Sequence, residues 1–248
     1  TSVALLRHLF GDTAPAGSIG TLGAVDGAGN VLPGSDSLTT PGPVELQAAL
    51  AALRDGGVRT VALETSSHAL DQDRVAGLRF RAALFTNLTR DHLDYHGDEA
   101  TYLAAKLKLQ TYLAADGVAV SNAEDAAWRA LAPRPGNLTF GVEVDADVTA
   151  RGVEGDATGM RFTLGFRNAA CRVALPLLGR FNVENALGAA AVALALGREA
   201  EHVAKQLCDV PQVPGRMERL TDTPCVVLRD SAHTPDALER ALAALRPL

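Results

Sequence analysis

Four segments hold residues whose types and spacing suit metal or phosphate chemistry. Glu64-Thr65-Ser66-Ser67-His68 directly follows an apolar run, Val58 to Leu63. A carboxylate there can bind Mg²⁺, a hard cation that takes oxygen ligands. The same residues can equally start a helix, with Ser66 or Ser67 as the cap and Glu64 favoured by the macrodipole. Thr86 to Gly97 carries Asp91, His92, Asp94 and His96. Two histidines at i and i+4 can share a metal, but the glutamate of a zinc-protease signature is missing. One histidine acting on a metal or phosphate, with the other structural, is the simpler reading. Leu178 to Ala186 places Asn182 and Asn185 one helical turn apart, so their amides can point the same way; capping by Asn182 is the plain alternative. The last segment pairs Pro214 to Arg219 with Asp230 to Ala237. There Thr234-Pro235 reads as an N-cap with proline at the first helical position. That leaves Asp230 and His233 without a structural explanation.

The elements around these segments predict where they sit. Helical spacing runs from Val3 to Phe10 and is broken by Gly11 to Gly17. Ile19 to Val25 reads as one short strand, followed by a turn and a loop from Pro33 to Pro43. Then come helix Val44 to Asp55, strand Val58 to Leu63 of the type buried on both faces, and strand Ala82 to Phe85. Helix Glu99 to Ala115, strand Val118 to Ser121, helix Glu124 to Leu131 and strand Leu138 to Phe140 continue the alternation. Strands alternating with helices imply an α/β fold, a mostly parallel, doubly wound sheet. From Val148 to Pro176 the pattern becomes that of antiparallel hairpins, a small subsheet. Helices Asn182 to Leu196 and Ala200 to Leu207, strand Cys225 to Leu228 and a helix from Asp236 to Leu245 follow. In open α/β sheets ligands bind beyond the carboxyl ends of the strands, where Glu64, Thr86 and Asp230 fall.

Composition narrows the function classes. The 248 residues carry 23 Lys and Arg against 29 Asp and Glu, a net charge of −6, which disfavours a nucleic-acid-wrapping surface. Hydrophobic residues at 47% and charged residues at 21% are those of a globular chain with a substantial core. No apolar run approaches the ~20 residues of a membrane span. Three widely spaced cysteines fit neither a disulfide framework nor a zinc site and suggest a reducing, cytoplasmic setting. Thr1 in place of methionine, and a final helix running into Arg246-Pro247-Leu248, suggest an interior piece of a longer protein.

In order along the chain, six motifs resemble the central ATPase domain of the Mur ligases. They are Thr39-Thr40-Pro41, Glu64 to Leu70, Thr86 to Gly97, Gly179-Arg180-Phe181-Asn182, Pro214 to Glu218 and Ala232 to Asp236. Asp91-His92-Leu93-Asp94-Tyr95-His96-Gly97 and His233-Thr234-Pro235-Asp236-Ala237-Leu238 are the most specific, and resemble the members that add the third amino acid of the peptide. The resemblance implies residues 1–235 as a central ATP-binding domain, with the antiparallel subsheet at about 147–176. Residues 236–248 would be a last helix leading to a C-terminal domain that receives the amino acid. An N-terminal UDP-binding domain and the P-loop glycines and lysine would lie before Thr1-Ser2.

The implied reaction is cytoplasmic peptidoglycan-precursor synthesis. ATP drives amide formation between UDP-N-acetylmuramoyl-L-Ala-D-Glu and meso-diaminopimelate, lysine or ornithine through an acyl phosphate. By resemblance, Thr1, Glu64 and His92 are ligands of Mg²⁺. Lys106, carbamylated, would serve a second Mg²⁺, while Lys108 would be a solvated helix lysine. Thr39, Thr40, Ser66, Gln72 and Arg74 would hold the UDP-muramoyl-dipeptide. Asn182 would meet adenine, and Arg216, Asp230 and His233 the ribose and phosphates. Ser231 stands where the family usually has tyrosine, and Arg229 is less apolar than is usual there. Family members are usually monomers, neither nucleic acid nor membrane is expected as a partner, and this piece alone is expected to be inactive. The alternatives are a folyl-polyglutamate synthetase-like ligase and a non-catalytic binding domain of the same fold.

Overall fold

The computed structural model describes residues 1–248 except 36, 90, 222, 224, 247 and 248, and only the backbone of residue 236. Asp36 of the Pro33 to Pro43 loop, Arg90 of the histidine segment, the Asp236 side chain and the terminal Pro247-Leu248 therefore lie outside the described residues.

The sheet is mostly parallel, as expected, but it comes in two pieces. One has the order β2-β1-β3, from Ala16–Gly20 (β1), Gly23–Val25 (β2) and Thr60–Leu63 (β3). The other has the order β4-β5-β6-β7-β8-β9, from Phe80–Phe85, Leu113–Asn122, Leu138–Val142, Val148–Asp156, Gly159–Phe166 and Ala169–Leu175. Strands β4 to β7 are mutually parallel, whereas β7-β8 and β8-β9 are antiparallel. The antiparallel hairpins thus extend the main sheet rather than forming a subsheet of their own. Among the described residues no strand pairs across the space between β3 and β4, and residues of both strands line it.

The six-stranded piece is covered on both faces. In β4 and β5, Ala83, Phe85 and Ala119 face helix α5 (Glu99–Leu107), while Leu84 and Val120 face helix α6 (Arg180–Ala195). Helix α6 is buried nearly all round because its alanines and Gly188 let it approach closely; a Cβ on Gly188 would lie 3.1 Å from both Leu84 and Phe140. Helix α1 (Ser2–Phe10) rests on β1 and β3 and also on α6 and on α7 (Ala200–Cys208), tying the two sheet pieces together. Helices α2 (Pro43–Asp55), α3 (Ser67–Asp71), α4 (Leu93–His96) and α8 (Pro235–Leu245) complete the set, with a separate β10-β11 hairpin of Glu218–Thr221 and Val227–Arg229.

Several local expectations are corrected. Ile19 to Val25 is not one strand but a β1-β2 hairpin, turned by Thr21-Leu22 with Gly23 at φ 84°. Strand β3 is only half-buried because one edge is unpaired. The helix expected over Glu99 to Ala115 ends at Leu107, continues as a 3₁₀ turn, Lys108–Tyr112, and yields Leu113 to Ala115 to β5, whose pairing with Phe80 outweighs helix propensity. Glu124 to Leu131 is a 3₁₀ turn, Ala126–Ala130, capped by Asp125. The last strand begins at Val227, not Cys225, and β10 was not anticipated. No helix among the described residues is long and apolar enough to cross a membrane.

One polar cluster ties α1 to α7. Asp12 accepts a two-point pair from Arg198, at 2.9 and 3.0 Å, and a contact from His202 at 2.5 Å. The Arg198 hydrogen bond chiefly holds its carboxyl down at about 2, below the usual carboxylate range. A depressed carboxyl contributes stability above its unfolded pKa that is lost as pH falls toward its folded one. Urea unfolding of the full-length protein is therefore expected to weaken between about pH 4 and 2. Asp12→Asn is expected to cost about 1–2 kcal/mol at pH 7 and to flatten that acid limb; an unchanged limb would refute the assignment.

Candidate active site

A cleft of about 1050 Å³ opens between the two sheet pieces. Glu64 leaves the carboxyl end of β3, where its N–H donates to Ile19 O at 2.8 Å and continues the parallel register. Buried Thr40 braces the turn: its hydroxyl donates to Glu64 O at 2.7 Å and accepts from Ser66 N at 3.0 Å. Ser66 caps α3, accepting from Ala69 N at 3.1 Å. The cap and a free carboxylate therefore coexist, since Glu64 stands two residues before the cap and lines the cleft.

The Glu64 carboxylate has space only because residue 20 has no side chain. A Cβ on Gly20 would lie 2.7 Å from Glu64 Oε2 and 3.2 Å from its Cβ. Gly20→Ala is accordingly expected to push the carboxylate aside. It should lower activity of the full-length protein at limiting Mg²⁺ about tenfold, with partial recovery at high Mg²⁺. Equal activity at all Mg²⁺ concentrations would contradict this.

Across the cleft, the chain leaving β4 is pinned to the 3₁₀ turn: Trp128 Nε1 donates to Thr86 O at 3.2 Å and Leu88 N to Asp125 at 2.5 Å. His92 then adopts a left-handed conformation, φ 54°, and starts α4 with its ring in the cleft and Asp91 3.6 Å away. His96 points elsewhere. It is buried against Tyr102, with ring centres 5.3 Å apart, and its Nε2 has no hydrogen-bond partner among the described residues. His92 and His96 are thus not presented to one ligand, and no cluster of metal-ligating residues is pre-formed among the described residues. His68 packs edge-on to His92 at 5.0 Å; burial and then the neighbouring histidines lower its pKa.

Lys106 reaches the cleft from α5. Its Nζ lies 5.8 Å from the Tyr102 ring centre, and no carboxylate of the described residues is within ion-pair distance. Burial pushes its pKa down, against the opposing charges of Glu64 and Asp91. An amine held in this way spends more of its time neutral, and so nucleophilic, than a surface lysine. Lys108 is not simply solvated: it pairs with Asp71 at 3.3 Å.

The opposite wall contains Arg216, Asp230 and His233. Asp230 is occupied structurally, its two oxygens accepting from Met217 N and Ala232 N at 2.8 Å each. This clamps the Arg216 loop beside His233. Ser231 donates to Gly215 O at 3.0 Å, and Arg229 pairs with Glu218 at 2.6 Å, so both unusual residues brace the same loop. Thr1, at the N-terminus of α1, also lines the cleft.

Asn182 is not brought into this wall. It is 1% exposed and its amide donates back to Leu178 O at 2.8 Å. The residue capping α6 is Gly179, not Asn182. Asn185, one turn on, lines the cleft and accepts from Ser2 at 3.1 Å. Thr39 and Ser66 line the cleft as well, whereas Thr40, Gln72 and Arg74 form an adjoining group: Arg74 donates to Thr40 O at 2.9 Å and to Gln72 Oε1 at 2.7 and 3.0 Å.

Sequence reasoning passed over Gly20 and Glu184, and took Ser67 only as a candidate helix cap. Ser67 is fully buried in the cleft wall, its hydroxyl without a partner among the described residues, and the Glu184 carboxyl there is pushed up by burial and by Glu124. Only a contact map distinguishes these from ordinary helix and turn residues.

The family model of the Mur ligase middle domain matches residues 1–193. A UDP-N-acetylmuramoyl-L-alanyl-D-glutamate–2,6-diaminopimelate ligase of Xanthomonas campestris is 47% identical over 243 residues, 94% of this chain and 48% of that protein. A solved structure of a ligase of that name superposes with TM-score 0.81 at 31% identity, covering 99% of this chain and 51% of the other. A folylpolyglutamate synthase of Mycobacterium tuberculosis shares the fold, with TM-score 0.74 at 18% identity over 98% of this chain and 63% of that one. The chain spans about half the length of the curated relatives it matches. With its matched span covering most of the sequence, the chain belongs to the Mur ligase family, as a middle domain of that family.

Proposed function

We propose that the full-length protein joins an amino acid to UDP-N-acetylmuramoyl-L-Ala-D-Glu at the expense of ATP, and that this domain holds the reacting groups. The observation that carries the reading is the convergence of Glu64, His92 and a desolvated Lys106 on one cleft, facing the Arg216, Asp230 and His233 wall. A scaffold kept only for binding has no need of a half-buried lysine and a carboxylate on one cleft. The relatives' names favour 2,6-diaminopimelate as the amino acid. Identity of 47% to that ligase, against 18% to the folate enzyme, favours the muramoyl substrate over a folate.

In the first step a D-glutamyl carboxylate oxygen bonds the γ-phosphorus as the bond to the bridging oxygen breaks, releasing ADP. In the second, the amine attacks the acyl carbon, phosphate leaves and a proton is lost. Arg216 and His233 contact the nucleotide phosphates, and Asp230 serves by holding the Arg216 loop. Asn185 fits the adenine side better than the buried Asn182. Thr39, Ser66, Gln72 and Arg74 orient the muramoyl dipeptide, bringing two anions together.

The donor set suits Mg²⁺: among the described residues the Glu64 carboxylate accepts only from the Thr21 amide, at 3.5 Å, with Thr1 and His92 on the same cleft. Two bound Mg²⁺ ions would supply charge neutralisation of the phosphates. Lys106, in its neutral form, would take up CO₂ with loss of a proton, and the carboxylate so formed would help to hold the second ion.

Phosphate release by the full-length protein tests the reading. It is expected to require ATP, Mg²⁺, UDP-N-acetylmuramoyl-L-Ala-D-Glu and one amino acid. Release that proceeds with a folate and not with the muramoyl substrate would overturn it.

A further inference from the structure

The substrate-holding pair Gln72 and Arg74 sits on a short turn after α3, a poor platform for a long charged side chain. What steadies it lies in a different part of the sequence. Gln72 Nε2 donates to the Tyr95 hydroxyl at 3.1 Å, and that hydroxyl donates to Asp71 Oδ2 at 3.0 Å. Lys108 Nζ bonds Asp71 Oδ1 at 3.3 Å, and both hydrogen bonds hold the Asp71 carboxyl below its usual pKa. On the other side, Gln72 Oε1 accepts two bonds from Arg74, whose remaining nitrogen donates to Thr40 O. The Tyr95 ring is set by His68, 4.1 Å between centres. An unbroken chain thus runs Lys108, Asp71, Tyr95, Gln72, Arg74, Thr40, and Thr40 in turn braces Glu64 and Ser66.

We infer that Tyr95 and Asp71 are positioning residues for the muramoyl-dipeptide site, fixing the amide of Gln72 so that Arg74 is presented in one orientation. This rests on the proposed substrate role of Gln72 and Arg74. The glutamine amide can flip, exchanging its oxygen for its nitrogen. The tyrosine hydroxyl removes that freedom: it must donate to the Asp71 carboxylate, so it can only accept from Gln72, which turns Oε1 toward Arg74. Lys108 pairs with Asp71 at 3.3 Å and holds it in place. Tyr95 also lies three residues from His92, so the helix that carries the metal-side imidazole is the one that orients the substrate side.

The test uses the full-length protein with UDP-N-acetylmuramoyl-L-Ala-D-Glu varied at saturating ATP and Mg²⁺. Tyr95→Phe keeps the ring on His68 and removes only the hydroxyl. It is expected to raise KM for the muramoyl dipeptide about three- to tenfold while kcat and KM for ATP stay within about twofold. Asp71→Ala is expected to act similarly, and Asp71→Asn, which still accepts from Tyr95, to restore most of the affinity. A parallel fall in kcat and rise in every KM, or no change in the dipeptide KM, would overturn the positioning role. Gln72→Ala separates the two layers. A raised dipeptide KM there with none in Tyr95→Phe defeats the positioning role alone, whereas an unchanged KM in both defeats the substrate reading as well.

Discussion

Replacing Lys106 with alanine in the full-length protein is expected to lower turnover by about 10³-fold or more while the fold survives. Alanine is a good helix former, and the lost ammonium has no ion-pair partner among the described residues to leave unpaired. The size of the effect follows from what the side chain is asked to do. A lysine whose charge is disfavoured by burial can add CO₂, and the resulting carboxylate is an oxygen ligand that alanine lacks. Short carboxylates such as acetate or propionate are then expected to restore part of the activity to Lys106→Ala and none to the parent. Because only the neutral amine reacts, wild-type carbamate, read by carbon-13 NMR with labelled bicarbonate, is expected to decline as pH falls. Turnover of the alanine variant above about a tenth of the parent's would sink the assignment.

The second large effect is expected at Glu64. Glu64→Gln preserves shape beside Gly20 but removes the negative charge, and is expected to reduce kcat about 10²- to 10³-fold and raise the Mg²⁺ requirement. The charge of Glu64 opposes the burial that lowers the Lys106 pKa. Without it, that pKa drops further and the amine is neutral at lower pH. Carbamate on Lys106 is therefore expected to persist, or to extend to more acidic buffer, in a variant that hardly turns over. Loss of carbamate together with activity would show instead that Glu64 acts only by maintaining the lysine.

Much of the fold is legible from local periodicity. The alternation of short apolar runs with helical spacing marked out most of the helices and the parallel strands, because each is stabilised largely by which face it buries. The failures lie where tertiary pairing competes with local preference. Leu113 to Ala115 is helix-prone in isolation but pairs with Phe80, and Ile19 to Val25 is split by a turn that Gly23 alone makes inexpensive. The strand-end rule picked out Glu64, Thr86 and Asp230, and all three line the cleft. It was blind to the difference between Asn182 and Asn185, because a helix must be packed before one amide is inside and the next is in the cleft.

Residue types, their spacing and the family motifs by themselves determined the α/β class and pointed to Glu64, His92 and Lys106, which the fold brings to one cleft. Tertiary structure alone decided that Lys106 is partly desolvated with no ion-pair partner among the described residues, that Glu64 lies over Gly20, and that Gln72 meets Tyr95. Each of these depends on groups brought together from distant parts of the chain. Burial and hydrogen-bond direction are properties of such encounters, and no local pattern of side chains encodes them.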